Sequence, residues 1–155
     1  GFGFNQSDSV EVYKILGDQH ISNENKINRL ANRRHKLMSL YGILSILVIL
    51  ICYFLFPLFL PKYAPAINYF LVLGFFGFIS CLYFLYTNYL FFFKKTRLIM
   101  SCTFGTSILH LILSLLFTKY SLYCTSLIYC ISMSAMVFLI RHYALKELRN
   151  NLDIL

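Results

Sequence analysis

Between Glu24 and Glu147 the chain carries no acidic residue at all, although these positions bracket most of its 155 residues. All six acids, Asp8, Glu11, Asp18, Glu24, Glu147 and Asp153, stand at the two ends. A middle segment of this kind cannot cover itself with a water-facing surface. Composition agrees: 59% of residues are hydrophobic and 13% charged, with a mean hydropathy of +0.68. Soluble globular chains lie near half apolar and a quarter charged. The formal charge of +8 invites a nucleic-acid reading, but the bases stand in short clusters beside long apolar runs. Membrane topology accounts for them better. The sequence is that of an integral membrane protein with no nucleic-acid partner, and membrane lipid is its first expected partner.

A hydrocarbon core of about 30 Å takes roughly 20 apolar residues as a helix. Four stretches qualify: 37–60, 66–93, 98–117 and 121–140, none of which contains Lys, Arg, Asp or Glu. Each such group would cost about 2.5–3.5 kcal/mol at a helix centre on insertion scales. Continuous apolar runs, without two-residue alternation, exclude a transmembrane barrel. The expected fold class is an all-α integral membrane protein with four transmembrane helices. The segment 1–36 is expected to be cytoplasmic, followed by a four-span domain over 37–143 and a cytoplasmic tail over 144–155.

Basic residues orient the spans. Arg29, Arg33, Arg34 and Lys36 precede the first; Lys62 alone follows it. Lys94, Lys95 and Arg97 follow the second, Lys119 alone the third, and Arg141, Lys146 and Arg149 the fourth. The positive-inside bias places both ends and the Lys94–Arg97 loop in the cytoplasm. Tyr63, Tyr69, Tyr120 and Tyr123 suit the outer interfacial belt, Tyr41 and Tyr143 the inner. Pro57, Pro61 and Pro65 are expected to end the first span and stiffen the outer loop. No basic n-region with a cleavage site precedes the spans, so a signal peptide is not expected. The opening Gly1, with Phe2 and Phe4, favours a piece of a longer chain.

Ile27, Leu30, Ala31 and Arg34 fall at helical spacing, with Ser22 or Asn23 available as N-cap. They predict an amphipathic helix leading into the first span, either lying on anionic lipid or solvated. Asp8, Asp18 and Asn23 stand among weakly patterned residues, where no chemistry is read. Cys52, Cys81, Cys102, Cys124 and Cys130 lie in apolar runs without a CxxC pair and read as free thiols packed as small hydrophobes.

The titratable side chain in mid-span is His110, on a stripe at four-residue spacing with Cys102, Thr106 and Ser114. In lipid such a face turns toward other helices or toward water. Three readings stay open: packing against a neighbouring helix, lining an aqueous cavity, or a chemical role for His110 itself. Small residues (Gly74, Gly77 and Cys81, with Asn88, on one side of the second span, Ser101 and Gly105 in the third, Ser132, Ser134 and Ala135 in the fourth) are expected at helix contacts, where they let backbones approach closely. No paired carboxylates, nucleophile–His–Asp set, metal-ligand spacing or phosphate loop is present. The sequence therefore gives no reason to expect an enzyme, a metal or a cofactor.

The order of features resembles a known family. An outer loop Leu60-Pro61-Lys62-Tyr63-Ala64-Pro65-Ala66 leads into a long span ending Asn88-Tyr89-Leu90-Phe91-Phe92-Phe93-Lys94-Lys95-Thr96. A span with a polar pair four apart follows, then a Thr118-Lys119-Tyr120 turn and a further span. Over about residues 25–145 this resembles the carboxy-terminal part of bacterial lipid-linked oligosaccharide flippases, the polysaccharide-export branch of the multidrug/oligosaccharidyl-lipid/polysaccharide exporter superfamily. The resemblance implies a multi-pass protein of the bacterial cytoplasmic membrane. It implies a lipid-linked oligosaccharide substrate for O-antigen or capsule assembly, and an amino-terminal lobe of the same chain as partner. Twelve spans with both ends cytoplasmic would have the ninth enter from inside, the direction the charges here require. The family often has Asn at both positions of the polar pair, where His110 and Ser114 stand here. After the outer turn it often has two Gly three apart, where this chain has Ser121 and Cys124, followed by Thr125 and Ser126. A stand-alone four-helix scaffold and a drug exporter of the same superfamily are the alternatives.

Overall fold

The computed structural model describes residues 2–62 and 67–152. Tyr63, Pro65 and Ala66, where the second span was expected to begin, lie outside the described residues. So do Asp153, the side chain of Tyr69 and the chain beyond Leu152. The described chain is helical throughout, in five helices: α1 (Phe2–Gly17), α2 (Asn23–Phe59), α3 (Ile67–Phe92), α4 (Thr96–Phe117) and α5 (Leu122–Asn151). The last four are long and apolar enough to cross a membrane, as a multi-pass membrane protein requires.

Local chemistry sets the helix boundaries. Ser22 caps α2, its hydroxyl accepting from the Asn25 N–H at 3.4 Å, and Ser121 caps α5 by accepting from Tyr123 at 3.1 Å. The end of α3 closes on Lys94, a non-glycine residue at φ 56°. The Lys95 N–H donates to the Leu90 carbonyl at 2.8 Å and the Lys94 N–H to Phe91 at 3.0 Å. This paired reversal satisfies carbonyls that the helix end would otherwise leave open. It turns the chain into α4 within three residues.

The expected helix leading into the first span is present, residues 23–36 running into it without a break in the 37 residues of α2. Two boundaries differ from expectation. Pro57 does not end the first span but sits inside α2, which continues to Phe59. Proline removes one backbone donor and crowds the preceding turn, a modest disturbance two residues from a terminus. α5, which carries the fourth expected span, does not stop near residue 140. It continues to Asn151, because Ile140, Ala144 and Leu148 at four-residue spacing are all buried.

Packing is uneven along the bundle. α3 lies most extensively against α5, α4 packs on α5, α2 on α3, and α1 covers α2 and α3. The buried core contains Val12, Leu16, Leu30, Tyr89, Leu90, Ile99, Cys102, Ile140, Ala144 and Leu148. These residues gather at one end, that of the start of α2, the Lys94–Lys95 turn and the end of α5. Long-range polar ties fasten the same end. Lys26 Nζ donates to the Leu16 carbonyl at 3.2 Å, Asn23 Nδ2 to the Leu152 carbonyl at 3.1 Å, and Lys95 pairs with Glu147 at 3.3 Å. Toward the other end Leu58, Phe59, Leu115 and Tyr120 are at least 70% exposed. The total accessible surface is 10432 Å², against about 8,100 Å² for a compact soluble chain of 18.2 kDa. Exposed apolar area on this scale needs lipid or another protein surface to cover it.

Candidate functional site

The polar stripe of α4 is built by helical spacing and held by its own hydroxyls. Thr106 Oγ1 donates to the Cys102 carbonyl at 2.9 Å, Thr103 Oγ1 to Ile99 at 2.8 Å and Ser107 Oγ to Thr103 at 2.8 Å. Such back-bonding satisfies a hydroxyl without a partner helix. Cys102 is buried in the core at the tight end. Thr106 and His110 line a cavity of about 250 Å³ between α3, α4 and α5, whose other walls include Tyr83, Tyr129, Ser132 and Met136. Ser114, one turn further along, is half-buried and not part of that lining.

Within this cavity two polar atoms are left over. His110 Nδ1 and Ser132 Oγ are buried without a hydrogen-bond partner; Ser132 is only 4% exposed. The His110 ring meets Tyr129 edge-on, with centroids 5.7 Å apart. An unpaired buried polar group costs about 1–3 kcal/mol. In a largely apolar, partly open pocket these two atoms are the points where water or a hydroxyl-bearing ligand could bond. Tyr129 carries no signal of its own in the sequence, and Ser132 is marked there only as a small packing residue of the fourth span. Cys102 thus packs in the core, while Thr106 and His110 border the cavity.

Four of the small residues expected at helix contacts separate as well. A Cβ on Gly74 would lie 2.5 Å from Ile49 Cγ1, so this glycine does allow α2 and α3 to approach. Gly77 and Gly105 would meet nothing within 4 Å, and Ser101 is exposed. Gly77 instead borders a second cavity, of about 320 Å³, with Asn5, Asp8, Tyr41, Ser80 and Cys81 among its walls. Ser101 and Gly105 share an outward face of α4 with Met100, Phe104 and Ile108.

The side of that second cavity holds the group sequence reasoning missed. Asp8, 3% exposed, accepts from Arg33 Nε at 2.9 Å and from Asn88 Nδ2 at 3.0 Å. Arg33 Nη1 also stands 3.9 Å from Glu11. Asp8, for which the sequence suggests no role, is a carboxylate buried inside the bundle with each oxygen satisfied. The available signal was Asp8, Val12 and Leu16 at four-residue spacing, one face of a helix. Beside them, Asn5 Oδ1 is buried without a partner.

All five cysteines are free. Among the described residues no three His, Cys, Asp or Glu side chains come together as a metal site. No family model matches the chain, and no curated protein or solved structure matches it either.

Proposed function

We propose that the chain is the carboxy-terminal part of a flippase. It would move an undecaprenyl-pyrophosphate-linked oligosaccharide from the cytoplasmic to the outer leaflet of the bacterial cytoplasmic membrane, for surface polysaccharide assembly. The order of loop and span motifs from Leu60 to Ser126 supports this reading. The observation that carries it furthest is the cavity where His110 Nδ1 and Ser132 Oγ stand unpaired, inside helices long enough to span a bilayer. A chain that serves only to fill a membrane gains nothing from such atoms. One tightly packed end and one open end also suit a lobe that rocks as a body around a midplane cavity, as alternating access requires. The outward face of α4 at Ser101 and Gly105 would then meet the amino-terminal lobe. The test is leaflet translocation of the lipid-linked sugar by the full natural reading frame, with and without His110→Asn. Unchanged export at every pH would remove His110 and its cavity from the mechanism. A natural frame that opens immediately before Gly1 would remove the two-lobe scheme and favour a four-helix scaffold.

A second reading draws on Asp8. An exporter of drugs or cations in the same superfamily would use an intramembrane carboxylate, and Asp8 is buried with a cavity beside it. Its pairing with Arg33 and Asn88 favours a fixed structural role instead. Accumulation of a cationic dye in cells expressing Asp8→Asn, measured against wild type, separates the two readings.

A further inference from the structure

We propose that the groove between α1 and the start of α2 binds the phosphate headgroup of an anionic phospholipid, whose acyl chains lie along α2. The groove has a volume of about 550 Å³ and is lined by Lys14, Arg29, Arg33 and Lys36, with Glu11 and Asp18 as its acids. Three of the four bases are unspent. Arg33 is held by Asp8 and Glu11, whereas Lys14, Arg29 and Lys36 form no ion pair among the described residues. Asp18 is engaged in its own turn, where its carboxylate accepts from the His20 N–H at 2.9 Å.

The lipid, rather than a dissolved phosphate, is specified by what continues from the groove. At about 100° per residue, Arg29, Lys36, Leu40, Ile43, Leu47 and Phe54 fall within about 40° of one line along α2. The apolar members are exposed: Leu40 48%, Ile43 65%, Leu47 48% and Phe54 72%. One helix stripe thus presents cations at its foot and bare hydrocarbon above. From Leu37 the helix rises about 15 Å in ten residues, the depth of one leaflet. A single phospholipid reaches both parts at once, and a soluble anion uses only the first. α1 supplies the opposite wall and Lys14, so the groove exists only because α1 packs on α2. This inference is independent of the transport reading.

The full chain is purified in a neutral detergent and titrated with phosphatidylglycerol or phosphatidylcholine, and bound lipid is counted by native mass spectrometry. Wild type is expected to hold phosphatidylglycerol at least tenfold more tightly. Each basic group near a lipid headgroup contributes about fivefold, so the K14Q/R29Q/K36Q triple variant is expected to fall to the phosphatidylcholine level. K119Q, at the far end of the bundle, should bind as wild type. Circular dichroism and gel filtration verify folding. If the triple variant does not fold, Arg29→Gln alone is expected to lose about fivefold, while the charge-keeping K14R/K36R variant retains the preference. An undiminished preference in the folded triple variant, or in R29Q, overturns the proposal. Displacement of the lipid by equimolar inorganic pyrophosphate also overturns it, by assigning the groove to a soluble anion.

Discussion

Asp8 of α1 and Asn88 of α3 lie 80 positions apart in the chain, yet their side chains meet at 3.0 Å in the interior. The same carboxylate accepts from Arg33 of α2 at 2.9 Å, so one side chain fastens three helices. Breaking a buried pair leaves its partners desolvated, at about 3–5 kcal/mol for a fully buried pair. Arg33 is 29% exposed, so water recovers part of that loss. We expect Asp8→Ala to destabilise the protein by about 2–3 kcal/mol in detergent-solubilised unfolding. Asp8→Asn combined with Arg33→Gln should cost less than the two single losses added together. Strict additivity would show that Asp8 and Arg33 do not act as a pair.

Lys94 occupies the left-handed region at φ 56°, which costs an L-residue about 1 kcal/mol that glycine does not incur. Lys94→Gly is therefore expected to raise stability by about 0.5–1 kcal/mol, seen as a higher unfolding midpoint. Lys94→Val should lower it, because a β-branched side chain tolerates this conformation least. The reverse order would mean that the Lys94 charge matters more than its backbone.

The glycines supply a graded test of which faces are packed. Gly74→Ala forces a methyl against Ile49 at 2.5 Å from Cγ1, an overpacking that costs about 1–3 kcal/mol. Ile49→Ala should recover most of that loss in the double variant. Gly105→Ala meets nothing within 4 Å and should gain up to about 1 kcal/mol from helix propensity. In the full natural protein, a Gly105→Leu variant that stays folded but loses export would place a second surface against α4. If export is unchanged, lipid covers that face.

Spans and helix class could be read from the sequence because membrane insertion depends on long apolar runs, and Leu37, Leu98 and Ser121 each open one. Ser22 was recognisable as a cap for the same local reason. The α1 segment was not legible: Val12 and Leu16 are buried in one core with Tyr89 and Leu90, residues far away in sequence. Reading charge by count set Asp8 aside as one acid near an end, while its meaning depends on Asn88 and Arg33. At the candidate site, His110 and Thr106 were visible as polar residues in lipid. Ser132 is visible only as a small packing residue and Tyr129 not at all; both gain significance where α5 crosses α4.

Ser132 offers the most direct test of what fills the cavity. Its Oγ and His110 Nδ1 have no protein partner, and the space of about 250 Å³ they border is large enough for several waters, each of which needs two to four polar partners. Water in the cavity would bond both groups, and removing the serine hydroxyl would strip those waters of an anchor. Ser132→Ala is then expected to cost about 0.5–1.5 kcal/mol, and solvent-exchange measurements should show faster exchange at the His110 ring in wild type than in the variant. A dry cavity predicts the opposite sign, because Ser132→Ala would delete an unsatisfied hydroxyl and stabilise the protein. In that case the polar stripe of α4 would serve packing alone, and Thr106, already bonded to Cys102 and Thr103, would be the pattern for the whole face.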